Sequence, residues 1–349
     1  MDTILLTGGG TAGHIYPLLA VKERLEGKYK FAYIGGQGME SQIIPKEKDI
    51  DFYQIPTVKL ERKLTLKNFL IPIKLIKSIN QSKKLLQQIK PNIIFSKGGF
   101  VAMPVVLAAA KLNIPVISHE SDLSFGLANK IILKKCNVMC TAFKQTATNQ
   151  PKCIYTGQPI RKKVLQGDKR KIYAMTKFDK DKPNLLVVGG SLGASFLNEK
   201  VWKNIDKLTE IFNVVHIAGK QAKDNKHTAK NYIQIDYAEN IGDYLAFADI
   251  VLSRAGAGAI NELLALRKPM LLIPLSKRCS RGDQIENAKL FKEQGLCDML
   301  EEEDYDDKLF LIKLNNLIKD KEKYKKNMQK MQSFDACDKI IEQIEKYKN

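Results

Sequence analysis

The chain has 349 residues, 44% hydrophobic and 27% charged, which is ordinary for folded domains and long enough for two cores rather than one. No apolar run approaches the roughly 18 residues of a membrane span, and Met1-Asp-Thr-Ile-Leu-Leu lacks the basic start of a signal peptide, so a cytoplasmic protein is expected. Fifty-seven basic against 38 acidic residues give +19, an attraction to polyanions; the excess is mostly Lys, which disfavours sequence-specific nucleic-acid reading, where Arg forks serve better.

Strand-like apolar runs are expected at Thr3–Thr7, Lys30–Ile34, Phe52–Ile55, Asn92–Ser96, Val116–His119, Val138–Thr141 and Cys153–Tyr155. Helical stretches separate them at Tyr16–Leu25, Leu66–Ile89, Met103–Leu112 and Ser124–Leu133. This alternation requires crossover connections and a parallel sheet covered on both faces. After a Lys-rich segment near Lys162–Lys182 the pattern restarts at Leu185–Val188. It continues through Val214–Ile217, Tyr232–Ile235, Ile250–Ser253, Met270–Ile273 and Asp298–Leu300. The expected fold class is α/β, with one Rossmann-like doubly wound domain over residues 1–161 and a second over 162–334. A terminal helix at about 335–349 is expected to pack back on the first domain.

Four times an apolar strand runs into glycines and then into a helix: Thr3–His14, Asn92–Phe100, Asn184–Ala194 and Asp249–Ala259. Glycine allows close approach of backbone to ligand, and a helix beginning there offers unpaired N–H groups to an anion. Gly8-Gly9-Gly10-Thr11-Ala12-Gly13 fits the dinucleotide-binding pattern. The acid that should close the second strand and grip a ribose is missing, because Phe31–Ile34 ends in Gly35-Gly36-Gln37-Gly38. The phosphate loop of ATPases is absent too. Gly189-Gly-Ser-Leu-Gly-Ala194 is expected to cradle a phosphate through its backbone and the Ser191 hydroxyl, the alternative being helix-on-strand packing. Glu262 can accept both hydroxyls of a ribose, or it is a first-turn acid complementing a helix dipole. Asp283 and Gln284 can hold sugar hydroxyls, or simply cap a helix.

The six cysteines show no metal-finger spacing and are expected to be reduced thiols; with four scattered histidines, no metal site and no cofactor are expected.

Read in order, Gly9–Pro17, Lys97–Val101, His119–Lys130, Thr156–Arg161, Val188–Ala194, Ser253–Ala257 with Glu262, and Asp283–Ala288 resemble the bacterial lipid-I N-acetylglucosaminyltransferases of peptidoglycan synthesis, the MurG family. The resemblance implies a GT-B fold with two Rossmann-like domains facing a cleft. It implies UDP-N-acetylglucosamine as donor, held mainly by the second domain, and undecaprenyl-diphosphate-linked N-acetylmuramoyl-pentapeptide (lipid I) as acceptor, giving lipid II. Carried over by position, Thr11, Ala12 and Gly13 should face the sugar and diphosphates. Asp122 and Asn129 fall in the acceptor-side stretch. Arg161 and Ser191 should meet the donor diphosphate, the backbone at Ala238 the uracil, Glu262 the ribose and Gln284 the GlcNAc hydroxyls. Asp122 stands where many members have Asn, Gln158 replaces a common Asn and Leu192 a common Gln; Asp122 can still accept a sugar hydroxyl, while bringing an added negative charge near a diphosphate.

The acceptor 4-hydroxyl must attack the anomeric carbon in line, so a base is needed, and positive potential must meet the departing diphosphate. His14 is the leading base, with a helix N-terminus expected to lower its pKa. Glu120 is the second candidate, and His14 as a hydrogen-bond donor to the acceptor diphosphate is the alternative. His119 is expected to hold its turn. Val58–Lys77 mixes Leu, Ile and Phe with Lys and Arg, as suits the anionic cytoplasmic face of a membrane or, alternatively, an ordinary amphipathic core helix. Competing readings are another nucleotide-sugar enzyme (an epimerase or natural-product glycosyltransferase), a nucleic-acid-binding protein, for which clustered Arg and interleaved aromatics are missing, and a dehydrogenase.

Overall fold

The computed structural model describes residues 1–57, 71–190, 192–222, 227–331 and 336–348. Two compact units emerge: Met1–Arg161 together with Phe334–Asn349, and Lys162–Ser333.

In the first unit seven parallel strands form a sheet in the order β3-β2-β1-β4-β5-β6-β7. The strands are β1 (Thr3–Thr7), β2 (Lys30–Gly35), β3 (Ile50–Gln54), β4 (Ile93–Ser96), β5 (Val116–Glu120), β6 (Val138–Thr141) and β7 (Cys153–Tyr155). Successive residues of β1 face opposite layers, as pleating demands. Ile4 and Leu6 pack with Ile15, Leu18 and Leu19 of helix Ala12–Leu25 and with Cys337, Ile340 and Ile344 of helix Ala336–Tyr347. Leu5, between them, joins Leu86 of helix Ile71–Ile89, Val105 of helix Gly99–Lys111 and Ile132 of helix Leu127–Leu133. A sheet buried on both faces explains why these strands read as continuous apolar runs.

The second unit holds six parallel strands in the order β10-β9-β8-β11-β12-β13. These are β8 (Asn184–Val188), β9 (Asn213–Ile217), β10 (Tyr232–Ile235), β11 (Ile250–Ser253), β12 (Met270–Leu272) and β13 (Asp298–Met299). Leu185, Val187, Leu252 and Leu271 build its core with Leu197 and Val201 of helix Ser195–Lys203 and with Phe310 and Leu314 of helix Asp307–Lys319.

Two helices start earlier than their sequence suggests. They begin at Ala12 and Gly99 and so place Pro17 and Pro104 inside. Each helix grows directly out of its glycine turn, and the proline merely withholds one N–H from the carbonyl four residues before it. The third strand lies at Ile50–Gln54 rather than Phe52–Ile55, because pairing with β2 aligns Phe31 with Ile50 and Gly35 with Gln54. The expected helix start near Leu66 lies outside the described residues. Among the described residues no helix is long and apolar enough to cross a membrane.

Candidate active site

In both units the glycine turns lie at the carboxyl ends of strands, β1 and β4 in one, β8 and β11 in the other, where open α/β sheets bind ligands.

In the first unit, Thr11 and Gly13 are exposed at the start of helix Ala12–Leu25, with Ala12 and His14 half-buried. The backbone N–H of His14 donates to Thr11 O (3.0 Å), and Nδ1 lies 3.0 Å from Thr11 Oγ1, so one residue holds both the backbone and one ring nitrogen of His14. Its pKa falls to about 4, with burial the larger cause and the Lys97 ammonium the second, so the imidazole is neutral at physiological pH. A Cβ built on Gly99 would lie 3.5 Å from His14 Nε2, which places that nitrogen against the second glycine turn.

Glu120 has both oxygens engaged: Oε1 accepts the backbone N–H of Asp122 (3.0 Å) and Oε2 the amide of Asn129 (2.8 Å). Asn129 Oδ1 in turn accepts the backbone N–H of Gly99 (3.0 Å). Gly98 must be glycine, with φ +76° and a built Cβ 2.1 Å from Asn129 Oδ1. Glu120 and Asn129 are 5% exposed each, so the structure brings these two predicted residues together as a brace beneath the Gly98–Gly99 turn. The Asp122 side chain is half-buried at the edge of this brace.

Arg161 is 92% buried by its 8% exposure, and its guanidinium carbon stands 3.6 Å over the Tyr16 ring. Its Nε and the Nε2 of Gln158 find no partner among the described residues. Lys97 is buried, with Nζ 2.6 Å from His119 Nδ1 and bonded to Ser121 Oγ. His119 Nε2 donates to Gly157 O (2.8 Å), and Ser121 Oγ donates to Gln158 Oε1 (3.1 Å). Lys97 thus grips the Gly157–Arg161 segment by two branches. Burial lowers its pKa to about 8 against the opposing pull of Glu120 and Asp122. Composition and spacing give no hint of this.

In the second unit Ser191 lies outside the described residues. The glycines around it divide. Gly189 and Gly193 are required by packing, since built Cβ atoms would lie 2.6 Å from Ala194 Cβ and 2.3 Å from Ala218 O. Gly190, Gly256 and Gly258 have no described atom within 4 Å of a built Cβ, the condition for close approach of a ligand. Glu262, half-buried, lies well inside helix Ala257–Ala265, whose first turn holds no acid, so the dipole alternative fails for it. Gln284 spends Oε1 on the N–H of Leu275 (3.0 Å), which leaves its NH2 for a ligand hydroxyl. The residue capping its helix is Gly282, not Asp283. Ala238 is half-buried in the loop after β10. Arg254 pairs with Glu302 at 2.5 Å and donates to the carbonyl of Ile273 (3.1 Å), a brace behind β12. A cavity of about 440 Å³ lined by Lys169, Lys268 and Lys325 opens at the opposite, amino-terminal end of these strands and has no part in the site.

Residues 4–141 match the N-terminal domain model of glycosyltransferase family 28 and residues 184–344 its C-terminal domain model. A protein of Clostridium botulinum strain Langeland is 45% identical over 353 residues, covering 99% of both chains. One of Clostridium tetani is 45% identical over 350 residues, covering 99% of this chain and 98% of its own. Both are named UDP-N-acetylglucosamine–N-acetylmuramyl-(pentapeptide) pyrophosphoryl-undecaprenol N-acetylglucosamine transferase. The chain belongs to this family. The crystal structure of Acinetobacter baumannii MurG covers 99% of the chain with TM-score 0.77 at 24% identity, and the calicheamicin glycosyltransferase CalG4 covers 99% with TM-score 0.73 at 14%. At those identities the likeness speaks for the fold, the two-domain GT-B arrangement of MurG.

Sequence spacing does not single out two buried charges beside the glycine turns, Lys97 and Glu40. Glu40 lies just past Gly35-Gly36-Gln37-Gly38 and accepts the N–H groups of Gly10 (2.8 Å) and Gly36 (2.9 Å), so it is not the ribose-gripping acid of a dinucleotide site.

Proposed function

We propose that this protein transfers N-acetylglucosamine from UDP-N-acetylglucosamine to the 4-hydroxyl of the muramoyl sugar of lipid I, forming lipid II in peptidoglycan synthesis. The observation that carries the reading is the collinear 45% identity over 99% of the chain to transferases bearing that name. The second unit is the donor side, with Ala238 backbone on uracil, Glu262 on the ribose, Gln284 on the sugar and Ser191 on the diphosphate; Arg161, which the first unit supplies, also serves the diphosphate. The first unit is the acceptor side, with Thr11, Ala12, Gly13, Asp122 and Asn129.

In the tautomer that donates Nδ1–H to Thr11, the Nε2 lone pair of His14 is free. It takes the proton of the 4-hydroxyl as that oxygen bonds to the anomeric carbon. The bond from that carbon to the UDP oxygen breaks from the opposite face, inverting α to β. The guanidinium of Arg161 and the N–H groups entering helix Ser195–Lys203 meet the charge that develops on UDP. His14 is preferred over Glu120 because both Glu120 oxygens are already spent on Asp122 and Asn129. Helix Ile71–Ile89 exposes Ile73 (65%) and Ile76 (59%) beside Lys74 and Lys77, a surface suited to peripheral attachment at the cytoplasmic face of an anionic membrane.

The test is transfer of labelled GlcNAc to a short-chain lipid-I analogue, with and without chelator. Product with the acceptor and none without it supports the reading. No transfer by the unmodified protein refutes it.

A further inference from the structure

Glu40 is fully buried, and among the described residues its carboxylate is held by backbone N–H groups. Oε2 accepts the N–H of Gly10 (2.8 Å) in the first glycine turn, and Oε1 accepts the N–H of Gly36 (2.9 Å) after β2. The surrounding glycines exist in part to make room for it. Built Cβ atoms would approach it to 2.4 Å at Gly9, 2.7 Å at Gly38 and 3.0 Å at Gly36. Tyr33, buried beside it, donates its hydroxyl to Gly8 O (3.0 Å) and closes the other side of the same turn. In dinucleotide-binding domains such an N–H faces a phosphate. Here an internal anion already occupies it, and a second anion cannot share the same donor.

The turn so held leads in one step to Thr11, whose Oγ1 lies 3.0 Å from His14 Nδ1 and whose carbonyl accepts the His14 N–H. We infer that Glu40 is a positioning residue for the transfer reaction: by filling the first glycine turn with its own carboxylate, it fixes the Thr11–His14 pair that aims the base. This rests on the reading of His14 as the base. It also gives the Gly10 N–H a role other than holding phosphate, despite the turn's resemblance to a dinucleotide fingerprint.

The test is a double-mutant cycle with Glu40→Gln and His14→Ala, turnover being scaled to sites counted by UDP titration. Glutamine keeps the size of the side chain but turns an NH2 toward one of the two N–H groups. The expected result is a loss in kcat of at least about tenfold for E40Q, with UDP affinity unchanged within about twofold, since a small misplacement of a catalytic group costs turnover rather than donor binding. On the His14→Ala background E40Q should cost less than about twofold more, because residues acting as one unit are not additive. Equal losses on both backgrounds overturn the inference, as does an unchanged kcat. If E40Q fails to bind UDP, Glu40→Asp is measured in the same cycle, and failure of both to bind UDP also overturns it, since Glu40 would then serve the fold alone. A wild-type protein that transfers no sugar sinks the functional reading instead, so the two failures are separable.

Discussion

The state of His14 can be tested without altering the protein, by lowering the pH. With its pKa at about 4, the imidazole remains about 97% neutral at pH 5.5. An imidazole at its ordinary value near 6.5 would be only about 9% neutral there, a tenfold loss of active base and about 1.4 kcal/mol in barrier. The profile of kcat/KM for GlcNAc transfer should therefore stay level from pH 7.5 down to about pH 5 and turn over only near pH 4. The sign follows from the causes. Burial and the Lys97 charge both penalise the imidazolium, so the unfolded chain binds the proton more readily between pH 6.5 and 4, and stability contributed by neutral His14 is lost as pH falls through that window. Circular dichroism at each pH confirms that the rate is read on folded protein. Lys97→Met removes the lesser cause, so its acid limb should move upward and still remain below 6.5. An acid limb near 6.5 in the wild type would refute the burial argument, and His14 would then be an exposed ring of ordinary basicity.

Other expectations follow from single contacts. Gly193→Ala should lower stability by about 1–3 kcal/mol in urea titration, because its φ of +80° and a Cβ 2.3 Å from Ala218 O must both be accommodated. Gly256→Ala, with φ −68° and open space ahead, should leave stability within about 0.5 kcal/mol while weakening UDP binding measured by calorimetry. Arg161→Lys should not restore donor turnover in the transfer assay, since the planar stack on Tyr16, on the order of 1 kcal/mol, is not reproduced by an ammonium. Ile344→Ala, at a fully buried position against the first sheet, should cost about 2–5 kcal/mol, read from the denaturation midpoint.

Among the described residues the central strands were legible because each is a short apolar run buried on both faces, and Ile4, Leu5 and Leu6 read the same to sequence whichever layer they enter, whereas the half-exposed edge strand Ile50–Gln54 gave blurred bounds. Helix starts were less legible, since Pro17 and Pro104 mark a beginning locally while the glycine turns before them begin the helices in fact. Within the site, the Thr11–His14 pair is a local contact three residues apart and could be anticipated from the helix start. The Lys97 links to His119 and Ser121, the Glu40 bond to Gly10 and the Arg161 stack on Tyr16 join residues distant along the chain. A buried charge is tolerated only where such remote partners receive it, so its place cannot be read from its neighbours in sequence.

Helix Ala336–Tyr347 shares the hydrophobic layer of the first sheet although the whole second unit is encoded before it. On the ribosome, residues 1–161 therefore emerge with one layer only partly covered, by helix Ala12–Leu25, and stay so while 162–333 are synthesised and close around a contiguous core. Assembly should thus run out of chain order, with the middle segment stable first and the leading segment sealed last, and nascent chains should be most prone to proteolysis and aggregation in that interval.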